Sequence, residues 1–207
     1  MLYDVSPEIT PALAVWPGDT PPSREVLCDL RAGASVTLST LRATVHLGAH
    51  ADAPNHYAAD APGIGERPLD YYLGRCQVVR VPARRGVRIT PADLPRPITE
   101  PRVLFATGTF PDPARFNEDF AALSPELIDW LHERGVILVG IDTPSIDLFD
   151  SKDLPAHRAV LRYDMAILEG LVLADALEGR YELIALPLRL TGFDASPVRA
   201  VLRTLTR

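Results

Sequence analysis

The chain has 207 residues, 47% of them hydrophobic and 23% charged, a composition that excludes disordered and fibrous classes and suits a single domain spanning 1–207. A net charge of −6, with no cluster of Lys and Arg beyond Arg84-Arg85, argues against a nucleic-acid partner or an anionic membrane surface. A small molecule is the expected partner.

In chain order, strand-like patterning opens at Leu2–Val5 and returns at Arg24–Leu30 and Ser35–Leu41. Two further runs, Cys76–Val81 and Val103–Thr107, flank the densest part of a chain holding 20 prolines. The segment Pro82 to Pro101 is expected to be a surface excursion with a short helical turn at Pro91–Leu94. The clearest helix starts at Ser124 as N-cap with Pro125 at N1 and Glu126 in the first turn, and ends before Gly135. Leu127, Ile128 and Leu131 form its apolar stripe, and it leads into a strand at Val136–Ile141. Strands at Tyr181–Ala185 and Val198–Leu205 complete the expected elements, and a mixed-sheet α/β fold follows. No apolar run reaches the ~18 residues of a membrane span, and Met1–Asp4 lacks a basic signal-peptide start, so cytoplasm is the expected compartment. Cys28 and Cys76 lie in separate apolar contexts that suit reduced thiols better than a disulfide.

Three of the five histidines fall in the stretch His46-Leu-Gly48-Ala-His50-Ala-Asp52-Ala-Pro54-Asn-His56. Imidazole nitrogen and carboxylate oxygen are the ligands of catalytic zinc and related metals. On one strand His46 and His56 would lie about 33 Å apart, too far for one centre. On a helix Asp52 would point away from His50, and Pro54 would remove a needed amide. The expected path is a strand ending near His46, a turn at Gly48, and a loop or first helical turn returning His50 and Asp52. Partners from elsewhere should complete the centre. His157 is expected in a loop, whereas His132 sits at the end of the capped helix, where a dipole contact accounts for it. Glu169, in a strongly apolar setting, calls for neutralisation either by a metal or by an arginine such as Arg162 or Arg189.

The same stretch, together with Tyr3-Asp4-Val-Ser6-Pro7, Val15-Trp16-Pro17-Gly18-Asp19, Gly140-Ile-Asp142-Thr-Pro144-Ser145-Ile-Asp147, Ala156-His157, Leu168-Glu169-Gly170-Leu171 and Tyr181 to Leu188, resembles the cyclase-like metal hydrolases, and among them the bacterial kynurenine formamidases. The resemblance implies a swivelling β/β/α fold, a homodimer with the site near the subunit interface, and two divalent ions per subunit. The implied metal is zinc, with manganese or cobalt as alternatives. By the same resemblance His46 and His50 would bind the first ion, His157 the second, and Asp52 and Glu169 both. His56 would be the catalytic acid/base and Trp16 a contact for an aromatic substrate; from the residues alone, core packing would explain Trp16. Asn55 departs from the apolar residue often found at its position.

The implied reaction is hydrolysis of the formamide of N-formyl-L-kynurenine to L-kynurenine and formate in tryptophan breakdown. Water on a metal has its pKa lowered toward ~7 and can attack the formyl carbon. An imidazole, titrating near ~6.5 in water, can pass the proton to the leaving nitrogen. No serine lies in a Gly-x-Ser-x-Gly elbow, which argues against Ser-His-Asp chemistry. Opening of a cyclic amide of the isatin type and metal binding without catalysis are the competing readings.

Overall fold

A computed structural model of the protein describes residues 1–81 and 84–205. The elements run β1 (Leu2–Asp4), β2 (Ser23–Cys28), β3 (Leu38–Arg42), β4 (His50–Asp52), β5 (Leu73–Arg80), β6 (Arg88–Ile89), β7 (Arg102–Ala106), β8 (Ala122–Leu123), α1 (Pro125–His132), β9 (Leu138–Ile141), α2 (Pro155–Arg162), β10 (Ala166–Glu169), β11 (Gly179–Ile184), β12 (Ala195–Pro197) and β13 (Val201–Thr204). Nine of these form one mixed sheet in the order β1-β13-β11-β5-β7-β9-β10-β4-β12. Its centre, β5-β7-β9-β10, is parallel and its flanks are antiparallel. The expected α/β fold with a mixed sheet is the one observed.

Burial on both faces explains the sequence of the central strands. Every residue of β7, β9 and β10 is buried, so these strands read as continuous apolar runs instead of alternating ones. Val103, Phe105, Val139 and Ile167 face α1 and α2, packing on Leu127, Leu131, Ala156 and Val160. Leu104, Leu138 and Leu168 face the opposite way into a second core with Ala51, Leu183 and Leu202, over which the ends of the sheet curl. β2 and β3 pair only with each other in this topology, as a separate two-stranded sheet with a bulge between Val26 and Cys28.

Helix α1 forms as its sequence dictates. Ser124 Oγ accepts from the Leu127 amide at 3.1 Å, and Leu127, Ile128 and Leu131 are its buried residues. His132 stacks flat on Tyr163, with ring centroids 4.0 Å apart. Pro91–Asp93 is the anticipated helical turn, of the 3-10 type; Pro82, the start of the proline-dense excursion, lies outside the described residues. Both cysteines are free thiols.

Strands β6 and β8 were not expected; they pair in parallel, and β6 buries Ile89 inside the segment expected to be a surface excursion. Four further elements that differ from expectation serve the histidine region. His157 lies not in a loop but in the first turn of α2. This helix carries no capping side chain of its own. Its N-cap residue is Leu154, in a left-handed conformation with φ 43°, so the usual Ser/Thr/Asp/Asn signal directly before the proline is missing. Strand β10 contains Glu169, whose apolar surroundings are those of a buried strand. Strand β4 holds His50 and Asp52, residues of weak strand preference paired on both sides by β10 and β12. Strand β12 ends on Pro197 at the sheet edge, where proline is tolerated. His46 itself lies beyond the end of β3 in an irregular segment, so no strand ends at it. Among the described residues no helix is long and apolar enough to cross a membrane.

Candidate metal centre

Strand pairing assembles the centre. In the antiparallel register of β4 and β10, His50 stands opposite Glu169 and Asp52 opposite Ile167, so His50, Asp52 and Glu169 share one face of the sheet. That face is the one against which α2 packs, because Ile167 belongs to the helix-side core. The first turn of α2 therefore brings His157 over the same spot. The segment between β3 and β4 must then pass close beneath the end of β10. Gly48 (φ +57°) and Gly170 (φ +64°) permit this: a Cβ on Gly170 would meet the Gly48 carbonyl oxygen at 2.1 Å.

The two carboxylates bridge the rings. Asp52 Oδ1 lies 3.1 Å from His46 Nδ1 and 3.4 Å from His50 Nε2, and its Oδ2 lies 3.4 Å from His157 Nε2. Glu169 reaches His50 Nε2 at 3.4 Å and His157 Nε2 at 3.5 Å. It pairs with neither Arg162 nor Arg189 among the described residues, and Arg162 turns instead to Asp129 at 3.4 Å. Each imidazole is held from behind through its other nitrogen: His46 Nε2 by Asp194 at 2.9 Å, His50 Nδ1 by the Gly48 carbonyl at 2.8 Å, and His157 Nδ1 by Asp147 at 2.9 Å. Such outer partners fix which nitrogen is left to face a metal.

Charge and burial decide what the cluster can hold. His50, Asp52, His157 and Glu169 are all at most 3% exposed. Burial alone would lower the pKa of His50, yet Asp52 and Glu169 outweigh it and push it up to about 10. His157 is likewise raised to about 10, by Asp147, Asp52 and Glu169 against burial. Burial would raise Asp52, but His157, His46 and His50 hold its carboxyl well below the usual carboxylate range. The site thus draws positive charge. His50 Nε2 and both oxygens of Asp52 are buried without a hydrogen-bond partner, a costly arrangement unless something else satisfies them. Donor atoms of His50, Asp52 and Glu169 lie within 4.8 Å of one another, as do those of His46, Asp52 and His56. Three imidazoles, each able to give up a proton to a bound ion, and two carboxylates suit borderline divalent ions such as zinc, so the residues present fit the implied metal.

His56 stands at the solvent side, on a short 3-10 turn after β4. Its ring centroid is 4.3 Å from that of His46 and its Nδ1 is 3.5 Å from Asp194 Oδ2. The cluster opens into a cavity of about 460 Å³ lined by Trp16, Phe110, Phe116 and Leu154 as well as by His46, His56 and His157. Trp16 is half-buried and packs on Phe149 at 5.0 Å and Phe116 at 5.6 Å, so it joins an aromatic cluster and forms part of the cavity wall. Asn55 donates to the Gly192 carbonyl at 3.4 Å, tying the turn of His56 to the loop before β12.

Sequence reasoning missed Asp147, Asp194 and the phenylalanines of the wall. Asp147 is fully buried and accepts from the amides of Ala156 and His157, capping α2 in place of Leu154. Its presence ten residues before His157, followed by an uncapped Pro155, was a usable signal. Asp194 carries no comparable local mark; only the register of β12 on β4, Ala195 opposite Asp52, sets it beside the centre.

Donors converging on one face of a curled mixed sheet define the class, an α/β protein with a candidate divalent-metal centre. Residues 3–148 match the family model of the cyclases, and the chain belongs to this Cyclase family. It is similar to a potential metal-dependent hydrolase with cyclase activity, at 29% identity over 98% of this chain and 96% of that one, with a TM-score of 0.85. A predicted metal-dependent hydrolase from Bacillus stearothermophilus matches at 30% identity, covering 98% and 97%, with a TM-score of 0.82. Isatin hydrolase A from Labrenzia aggregata, bound to benzyl benzoate, shares the fold with a TM-score of 0.82 at 22% identity, covering 98% and 93%.

Proposed function

We propose that the chain, acting as a single domain, is a metal-dependent hydrolase that cleaves the formamide of N-formyl-L-kynurenine to L-kynurenine and formate. The observation that carries this reading is the buried, unsatisfied donor set of His50 and Asp52 beneath an aromatic-walled cavity. His46, His50 and His157 would hold up to two divalent ions, of which zinc suits the donors best, with Asp52 and Glu169 shared between them. When bound there, such an ion acidifies water and polarises a carbonyl oxygen. His56, at the cavity mouth beside Asp194, takes the proton of the attacking water and delivers it to the departing aniline nitrogen as the formyl C–N bond breaks. Trp16, braced by Phe116 and Phe149, gives the substrate ring a flat apolar contact. The cavity volume is in the range of sites for molecules of this size.

The related reading, opening of an isatin-type cyclic amide, uses the same groups and is supported by the fold shared with isatin hydrolase A. Turnover of N-formyl-L-kynurenine and of isatin by the zinc-loaded protein, followed by absorbance, separates them; activity on isatin alone would defeat the first. In His56→Ala the metal content is expected to persist while kcat falls about 10²-fold or more. Loss of metal together with activity would make His56 a ligand instead.

A further inference from the structure

The outer partners of the three buried-facing imidazoles are not equivalent. The Gly48 carbonyl serves His50 alone, and Asp147 serves only one ring, that of His157. Asp194 Oδ2 stands 2.9 Å from His46 Nε2 and 3.5 Å from His56 Nδ1, so a single carboxylate oxygen faces two histidines of different standing. Its place is fixed by backbone. The Ala53 amide donates to the Asp194 carbonyl at 2.8 Å, and β12 continues from there in register with β4, Ala195 opposite Asp52. The strand that supplies His50 and Asp52 therefore also locates Asp194.

From this geometry we propose that Asp194 is a shared positioning residue, which holds the proton of His46 on Nε2 and that of His56 on Nδ1. His46 then presents Nδ1 toward Asp52, the side on which an ion would sit, and His56 keeps Nε2 free to accept a proton from water. A carboxylate accepting from one imidazole nitrogen sets the tautomer and leaves the other nitrogen as the acceptor. Serving both rings from one oxygen also fixes the spacing between the cation site and the acid/base group. The inference rests on the hydrolase reading above for the task of His56, but not on the identity of the substrate.

The test compares wild type with Asp194→Ala and Asp194→Asn, each loaded with zinc and checked for an unchanged thermal transition. Long-range proton–nitrogen spectra of 15N-histidine protein report which nitrogen of each ring carries hydrogen. In wild type, Nε2–H at His46 and Nδ1–H at His56 are expected, and both patterns should be lost or mixed in Asp194→Ala. Zinc affinity, measured against a competing chelator, should weaken about 10-fold or more, and kcat should fall by about 10- to 100-fold with KM within about 2-fold. Asp194→Asn keeps an acceptor without charge and should fall between; it also serves if the alanine variant does not fold. Wild-type tautomers retained at either ring, or wild-type zinc affinity, would overturn the shared role. A wild-type protein that takes up no zinc would instead count against the metal reading itself, which separates the two failures.

Discussion

Replacing Asp147 by alanine should damage the fold and the metal centre together, because one buried carboxylate serves both. It accepts from the Ala156 and His157 amides at 3.1 Å, from His157 Nδ1 at 2.9 Å, and from the Arg88 guanidinium. Removal leaves the first turn of α2 uncapped, which costs about 1 kcal/mol. It also leaves Arg88 without its carboxylate. Breaking a buried pair costs about 3–5 kcal/mol, but the Arg88 side chain retains 23% exposure, and water offsets part of that loss. A combined destabilisation of about 3 kcal/mol follows, or about 6–12 °C in Tm for a chain of this length. Because His157 loses the group that orients it, zinc affinity should fall about 10- to 100-fold as well. Urea unfolding of the ion-free protein reads the first effect, and chelator competition reads the second. Asp147→Asn, which can still accept from the helix amides, should recover part of the stability but less of the affinity. A loss below about 1 kcal/mol in Asp147→Ala, with undiminished zinc binding, would refute the reasoning.

Other substitutions probe the packing around the centre. Gly170→Ala places a methyl against the Gly48 carbonyl at a positive φ, so a loss of at least about 2 kcal/mol is expected in chemical denaturation; a near-neutral result would show that the two segments can separate freely. Trp16→Ala should raise KM for an aromatic formamide about 10-fold while zinc stoichiometry stays unchanged, as steady-state kinetics and elemental analysis would report. The Cys76 thiol is pushed up to about 12 by burial, with Arg102 opposing weakly and Glu100 adding. A group raised in the folded state keeps its contribution below its unfolded value near 9 and loses it as pH rises toward 12, since only the unfolded chain ionises in that window. The stability difference between wild type and Cys76→Ala should therefore shrink by about 1 kcal/mol from pH 9 to pH 10; a difference constant with pH would contradict the burial argument.

The sequence made some elements plain and concealed others for physical reasons. Helix α1 announces itself because its cap, its proline and its apolar stripe are all local. The strands that alternate or are rich in branched residues, such as β5, are equally open to inspection. Helix α2 is concealed because its cap is borrowed from Asp147 across a loop, and β4 because pairing on both sides imposes extended structure on His50-Ala51-Asp52. The donor types gathered around Asp52 could be anticipated from clustering, and neither a single strand nor a single helix runs through all four residues. What could not be read was the register that puts Glu169 opposite His50, since facing residues from distant segments leave no local trace. Asp194 illustrates the same point: its function depends on which strand β12 joins. The homodimer implied by the family resemblance awaits a measurement of mass in solution, where a mass of two chains is expected.

Metal dependence is the property on which the proposed hydrolysis rests. Protein stripped by a chelator, then titrated with zinc while ion content and hydrolysis of N-formyl-L-kynurenine are followed together, should be inactive when empty and regain turnover in proportion to the zinc bound, and Asp52→Asn should bind markedly less. Full turnover by protein carrying no divalent ion would contradict it.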